Sequence, residues 1–392
     1  MHKLAIIIDT YPQPTEEFIY RGLRELLRQG VSFQVFYLKR GPAGPDPVGM
    51  NVNSVPAAPL RYVWRMRRLF WAAFKEALLR SPTRFKDIYH LFRAAGFARA
   101  VAEMGGDVHI HAEFADRTAW YARKAAAFLG LPYTVAGHAR DVLVPAPSTP
   151  ANLGGAAFVI FCSRAVMDAV VRRAPDLAPR AELVYHGIEN AAEARGRGSF
   201  RDDVLRIAAA GRFVEKKGFE FLIRACRLLQ DRGLRVQCTI AGSGEREWYY
   251  RQVVDELHLG DAVAFPGFIA TADMDDYFRD HDILCVPAVP ARDGDMDGLP
   301  NVLLEAARTG LPAVATDMPG IREFVTDGRN GLIVDHGSAE SLAGGLTRYC
   351  TMPLAARQSL SAQAAETVRT RFDIRINTAQ WIETFRNRGV RL

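Results

Sequence analysis

Arg206 to Gly218 reads RIAAAGRFVEKKG, and this stretch decides the fold class. Ile207 to Ala210 is a short apolar run that ends in a glycine, followed by two spaced cations, Arg212 and Lys217. Beyond it Phe221, Leu222, Ala225, Leu228 and Leu229 recur at helical spacing on one face. Strand, cationic turn and helix together make one half of a parallel βαβ unit. A cation at the carboxyl end of a strand, where the next helix starts, is placed to clamp a diphosphate in the crevice of an open parallel sheet. Val236 to Ala241 is a second apolar run, closed by Gly242-Ser243-Gly244-Glu245. A glycine turn after a strand is common. Gly242 becomes a candidate for nucleotide binding through its place one strand on from the cations.

Working outward, residues 292–308 read RDGDMDGLPNVLLEAAR, a polar loop running through Gly298-Leu299-Pro300 into a helix. Val302, Leu303, Ala306 and Ala307 are its expected apolar positions, and Asp297 and Glu305 bracket its first turn. The backbone N–H groups of Asn301, Val302 and Leu303 lie at the positive end of the helix dipole, a seat for an anion such as a phosphate. A carboxylate on each side of that seat suits a ligand with both phosphates and hydroxyls, as a nucleotide sugar has. The plainer alternative is a helix capped by Asp297, with Glu305 on a solvated face.

On these residues the C-terminal half resembles the nucleotide-binding domain of the family-4 retaining glycosyltransferases, which have the GT-B fold. That family's strand end, glycine-arginine with a lysine five residues on, is met by Gly211-Arg212 and Lys217. Its two acids with seven residues between them are met by Asp297 and Glu305. The first acid is usually glutamate. Asp297 is one methylene shorter, which sets its carboxylate roughly 1.5 Å back unless the loop compensates, a shift that matters for productive geometry. Within the family the chain is most similar to the bacterial exopolysaccharide branch of colanic-acid type. The matching segments are Tyr11–Ile19 (YPQPTEEFI), His109–Phe114 (HIHAEF), Ala136–Asp141 (AGHARD), Gly294–Pro300 (GDMDGLP) and Arg371–Asn377 (RFDIRIN). They place the resemblance from about residue 4 to residue 385.

The resemblance implies an α/β chain of GT-B class, two Rossmann-like doubly wound domains facing a central cleft. It implies a retaining transfer of sugar from a nucleotide-diphosphate donor to a saccharide or lipid-linked saccharide, in surface polysaccharide or glycoconjugate biosynthesis. Arg212, Lys217, Gly242 and the N–H groups of Asn301, Val302 and Leu303 would take the diphosphate, and Glu305 the ribose. Asp297 would hold a donor-sugar hydroxyl, and His138 would lie at the reaction centre. Two rival readings are a nucleotide-sugar epimerase of the same fold and a non-catalytic nucleotide-sugar-binding subunit.

Composition agrees with a globular enzyme: 392 residues, 49% hydrophobic and 24% charged, suit two domains. The expected division is 1–190, an acceptor-binding domain; 191–203, a linker; 204–370, the nucleotide-sugar domain; and 371–392, a C-terminal helix packing back toward the first domain. The linker carries ENAAEARGRGSFRDD (189–203), without apolar period. In both halves strands alternate with helices, as in parallel sheets covered on two faces. The expected first-half strands include Leu4–Ile8, Ser32–Leu38, Val108–Ile110 and Tyr133–Val135. Asp9-Thr10-Tyr11-Pro12 after the first strand is not a dinucleotide-binding glycine turn, and no ATPase phosphate loop is present. The apolar run near Met1 is shorter than a signal peptide's, so cytoplasmic placement is expected. The five cysteines lack CxxC spacing and read as free thiols.

His138 directly follows the strand at Tyr133–Val135, so it points out of the carboxyl end of the sheet. Glu16, His111, Glu113 and Asp141 are candidates for acceptor contacts, while His109 reads as a packed strand residue. Acids at 16 and 17 also suit a helix N-terminus. Asp293-Gly294-Asp295 has the form of a divalent-metal chelate, but Arg212 and Lys217 already bring positive charge, so neither metal nor cofactor is expected. Residues 61–86, RYVWRMRRLFWAAFKEALLRSPTRFK, combine many cations with Trp64, Phe70, Trp71 and Phe74. With a pI near 9.1, that pattern suits peripheral contact with an anionic membrane and a lipid-linked acceptor. Its alternative is a helix packed on the first domain with solvated arginines. No nucleic-acid-binding fold accompanies the charge.

Overall fold

Runs such as LAIIID and RIAAA are apolar on both faces, which a strand tolerates only when helices cover both sides of its sheet. A computed structural model of the protein describes residues 2–42, 52–59, 62, 64, 70, 71, 74, 84–189 and 200–392, and shows two such sheets. The first contains β1 (Lys3–Tyr11), β2 (Phe33–Arg40), β3 (Val52–Ser54), β4 (Val108–Glu113), β5 (Tyr133–Gly137), β6 (Val159–Phe161) and β7 (Ala181–Leu183). It is parallel throughout, in the order β3-β2-β1-β4-β5-β6-β7. The second contains β8 (Leu205–Ala210), β9 (Val236–Ala241), β10 (Val263–Gly267), β11 (Ile283–Val286), β12 (Ala313–Thr316) and β13 (Leu332–Val334). It too is parallel, in the order β10-β9-β8-β11-β12-β13.

In both sheets the strand order reverses once, between β1 and β4 and between β8 and β11. Loops leaving the carboxyl ends of those paired strands diverge to opposite faces and leave a crevice, where open α/β sheets bind ligands. The residues after β1, β4 and β5 in one sheet, and after β8, β9 and β11 in the other, are therefore the ones the fold offers for chemistry.

The chain divides into two compact units. The first comprises Met1–Cys162, Val166–Tyr185 and Thr378–Leu392; the second comprises Ser163–Ala165 and His186–Asn377. Leu4, Ile6, Ile8, Val35, Phe158 and Ile160 form the core of the first unit, together with Phe385 from the C-terminal segment. Leu222, Ala225, Cys226 and Leu229 on the helix Phe219–Asp231 pack on Ile207, Cys238 and Ile240 in the second. All five cysteines are free.

Three expectations need correction. Sequence placed the end of β4 at Ile110, but the strand runs on to Glu113, so His111 lies inside it. Its HIHAE alternation puts His109, His111 and Glu113 on one face of the sheet. β3 is paired to β2 and was not foreseen, because three residues carry too little period to read. In the helix Asn301–Arg308 the buried positions are Leu303, Leu304, Ala306 and Ala307, with Val302 only partly covered.

Of residues 61–86, most cations lie outside the described residues, as does 190–199 of the expected linker. Trp64 and Trp71 are 68% and 54% exposed, whereas Phe70 is buried. No helix among the described residues is long and apolar enough to cross a membrane.

Candidate active site

In the second unit, β8 ends at Ala210, and Phe213 then turns back into the core at no exposure. Its ring packs edge-on against Phe219 and Tyr250 at 5.7 and 5.5 Å. Its N–H donates to the Ser243 carbonyl at 2.8 Å, tying the turn after β8 to the turn after β9. Gly242 (φ 133°) lies so close to that turn that a Cβ would sit 2.0 Å from the Gly211 carbonyl oxygen. Glycine is thus needed for close backbone approach at this strand end. Arg212, flanked by these anchors, is exposed and pairs with no acid among the described residues.

Glu215–Lys217 forms a short 3-10 turn, closed by Gly218 at φ 60°. A Cβ on Gly218 would stand 2.0 Å from the Pro287 carbonyl oxygen, so the turn lies directly on the segment leaving β11. Val289 N–H donates to the Lys216 carbonyl at 2.9 Å and fastens the two. The consequence is an ion cluster. Lys217 Nζ bonds Asp297 Oδ2 at 2.6 Å, Lys216 Nζ lies 3.2 Å from Asp297 Oδ1, and the same ammonium bonds Asp295 Oδ1 at 3.0 Å. Lys216 and Asp295 are 5% and 4% exposed, so this is a buried network of two cations and two anions. Burial would raise the Asp297 pKa, but Lys217 and Lys216 outweigh it and hold the carboxyl below its ordinary 3.8.

The helix Asn301–Arg308 begins at this cluster. Pro300, not Asp297, holds the position before it and gives no side-chain cap. The capping reading of Asp297 is therefore wrong: its carboxylate is turned to the lysines. Leu303 N–H donates to the Pro300 carbonyl at 3.0 Å, so that group serves the helix start rather than a ligand. Asn301, Val302 and Glu305 are partly exposed in the first turns. In the Asp293-Gly294-Asp295 triplet, Asp295 is taken by Lys216, and Asp293 accepts the Asp295 N–H at 2.9 Å. Arg292 pairs with Glu215 at 3.3 Å on the surface.

In the first unit, His138 follows β5 directly and is nearly buried. Its Nε2 is 3.1 Å from Glu113 Oε2 at the end of β4. Behind Glu113 the chain continues inward. His111 Nε2 lies 3.6 Å from Glu113 Oε1, His111 Nδ1 is 2.8 Å from Thr134 Oγ1, and His109 Nε2 is 3.1 Å from the same hydroxyl. Burial opposes a charged His138 ring, but the Cys162 sulfur and the Glu113 carboxylate beside it hold its pKa well above 6.5. Glu113 shows the opposite balance: burial would raise it, yet the two histidines hold it far below the carboxylate range. His109, desolvated and beside His111, is pushed down to about 3 and stays neutral.

This arrangement changes two acceptor assignments. His111 has no exposure, so it supports Glu113 and touches no acceptor. Asp141 accepts N–H groups from Ala115, His138 and Ala139 at 2.8, 3.1 and 3.1 Å, which makes it the clasp between the loops after β4 and β5. Glu16 lies in the turn before the helix Glu17–Arg28, while Glu17 is taken by Arg24 at 2.5 Å. Lys216, Asp295 and Phe114 were not read as site residues. Phe114 adopts φ 73°, uncommon outside glycine, and lays its ring 4.4 Å from that of His138. The signal for Lys216 was a lysine doublet matched by two acids at 295 and 297, which acquires meaning only once β8 and β11 are neighbours.

Residues 191–367 match the model of the glycosyl transferases group 1 family. The match lies within the second unit and spans a little under half of the chain. The amylovoran biosynthesis glycosyltransferase AmsK of Erwinia amylovora is 36% identical over 144 residues, 37% of this chain and 35% of AmsK. WcaL of Salmonella typhimurium, assigned provisionally as a colanic acid biosynthesis glycosyltransferase, is 32% identical over 169 residues, 43% of this chain and 42% of WcaL. The alignments thus span about two fifths of the length of these curated relatives. Over 99% of the chain the fold is similar to that of Anabaena HepE, solved in complex with UDP and glucose (TM-score 0.70, 17% identity, all of the HepE chain covered). Both units are Rossmann-like, and with the likeness to HepE over 99% of the chain the fold is GT-B, as the resemblance implied.

Proposed function

We propose that this protein is a retaining glycosyltransferase that moves a sugar from a nucleotide-diphosphate donor to a saccharide or lipid-linked saccharide in surface-polysaccharide biosynthesis. The observation that carries the reading is the buried Lys216–Lys217–Asp295–Asp297 cluster at the switch point of the group 1 domain, with the exposed Arg212 on the neighbouring turn. In this reading Lys217 and Arg212 neutralise charge as it develops on the leaving diphosphate. Asp297 holds a hydroxyl of the donor sugar, Glu305 the ribose, and His138 serves the reacting centre. The bond from the anomeric carbon to the diphosphate oxygen breaks, and a bond from the same carbon to the acceptor oxygen forms on the same face. The acceptor's proton goes to the departing phosphate oxygen. Cations of the chain supply the positive charge, so no metal is assigned.

UDP is the first nucleotide to test, given the UDP held by HepE. Thermal shift against UDP, GDP, ADP, dTDP and CMP, followed by transfer assays with the matching sugars, identifies the donor. Arg212→Ala and Glu305→Ala are expected to lower transfer by roughly a hundredfold. Rates within a few-fold of wild type would refute these roles. Conversion of the donor to its epimer without any acceptor would favour the epimerase reading instead.

The exposure of Trp64 and Trp71 supports peripheral contact of residues 61–86 with an anionic membrane. Flotation with vesicles rich in anionic lipid tests it, and a protein left wholly unbound at low salt would remove the idea.

A further inference from the structure

Lys216 has no place in the proposed chemistry, yet it is the most deeply buried cation of the cluster. A lysine is almost never this buried unless its charge is paired, and Asp295 and Asp297 both pair this one. Lys217 is held by Asp297 at 2.6 Å, with side chains only 17% and 13% exposed. A diphosphate that recruits Lys217 must take it from Asp297. Asp297 would then be a mostly buried carboxylate that has lost its shortest ion pair, were it not for Lys216 at 3.2 Å from its other oxygen. Lys216 cannot itself follow the ligand, because Asp295 holds it at 3.0 Å and its backbone is fixed by Val289.

We propose that Lys216, anchored by Asp295, is a positioning residue that keeps Asp297 ionised and in place while Lys217 exchanges Asp297 for the donor's diphosphate. The inference rests on the nucleotide-sugar reading of this site. It divides the labour within the lysine doublet: Lys217 is the mobile partner that goes to the ligand, and Lys216 the fixed one that retains the acid. Asp297 has two oxygens and each lysine takes one, so the exchange at Oδ2 leaves the bond at Oδ1 intact.

The test is a coupling cycle read by binding, with transfer measured alongside. Lys216→Met alone would bury an unpaired Asp295, so the fixed pair is replaced together, as Lys216→Met with Asp295→Asn. This is done in the wild type and in Asp297→Asn, and all four proteins are first checked for cooperative thermal melting. UDP, GDP, ADP and dTDP are each titrated calorimetrically, and the tightest binder is carried through the cycle. Loss of the pair is expected to weaken diphosphate binding roughly tenfold when Asp297 is present, and by less than about twofold when residue 297 is asparagine. An equal effect in both backgrounds would overturn the inference, since Lys216 would then act on the fold or on the ligand directly. A wild type that binds a nucleoside diphosphate but transfers no sugar would overturn the functional reading and leave the cycle to judge Lys216. A wild type that binds none of the four would overturn both.

Discussion

Replacing Asp297 by asparagine is expected to move nucleotide affinity and catalysis in opposite directions. The Lys217–Asp297 pair is mostly buried at 2.6 Å, which sets it apart from surface pairs worth 0–1 kcal/mol. Coulomb's law at an effective dielectric of about 20 gives roughly 6 kcal/mol at that distance. Desolvation of the two charges offsets most of it, and a hydrogen bond between charged groups nets about 1.5–3 kcal/mol. A diphosphate that takes Lys217 must give up that amount in the wild type. In Asp297→Asn it gives up only a neutral acceptor, worth about 1 kcal/mol. The difference of about 0.5–2 kcal/mol tightens Kd for the nucleoside diphosphate by roughly 2- to 30-fold. Transfer falls by roughly a hundredfold in the same variant, because the group that orients the donor sugar has lost its charge. Calorimetric titration and initial-rate assays on one preparation read both effects. Binding that is unchanged or weaker in Asp297→Asn would refute the reasoning, since Asp297 would then not compete for Lys217. The same variant has a pH signature. The Asp297 pKa is lowered in the fold, so its contribution to stability is present above about pH 3.8 and is lost as pH falls through the folded value. The melting advantage of wild type over Asp297→Asn should therefore close below pH 4.

Two further outcomes follow from single residues. Gly242→Ala should lower the melting temperature by roughly 5–15 °C, since alanine meets the Gly211 carbonyl at 2.0 Å and must adopt φ 133°, at a combined cost of about 2–4 kcal/mol; a melt within 2 °C of wild type, on the same scale, would mean that the two turns are not in close contact. Glu113→Gln removes the carboxylate that helps hold His138 protonated, and because that pKa is raised above 6.5, the stabilisation is complete below pH 6.5 and fades as pH rises through the folded value. The melting deficit of Glu113→Gln should be largest near pH 6 and shrink on the alkaline side, and a deficit that grows with pH would contradict the His138–Glu113 pairing.

Much of the fold was legible because doubly wound sheets write themselves in short apolar runs separated by helical periods. Ile207–Ala210 and Val236–Ala241 are β8 and β9 almost to the residue. The helix after Pro300 was equally clear, since proline sets its start and Leu303, Ala306 and Ala307 its buried stripe. Polar residues that alternate inside a strand were harder. His111 looked like a loop residue beyond a short strand, and only the pairing of β4 with β5, with Thr134 beside it, shows a histidine buried for support. Asp141 was similarly ambiguous, because an acid near a site and an acid that clasps three backbone N–H groups have the same sequence.

The sequence by itself determined the class of fold, the order of strands and turns along the chain, and the residue types available at each strand end. Those are local properties, carried by periodicity, glycine and proline. What the tertiary structure decided is which charges meet. Lys216 and Lys217 are adjacent in sequence, yet one is sealed against Asp295 and the other reaches Asp297 at the partly open edge. Nothing within the doublet distinguishes them. Their difference arises because β8 lies beside β11, so that Gly218 rests on Pro287 and a loop some eighty residues away in the chain supplies the acids. Pairing over that separation depends on sheet order, which no local pattern encodes.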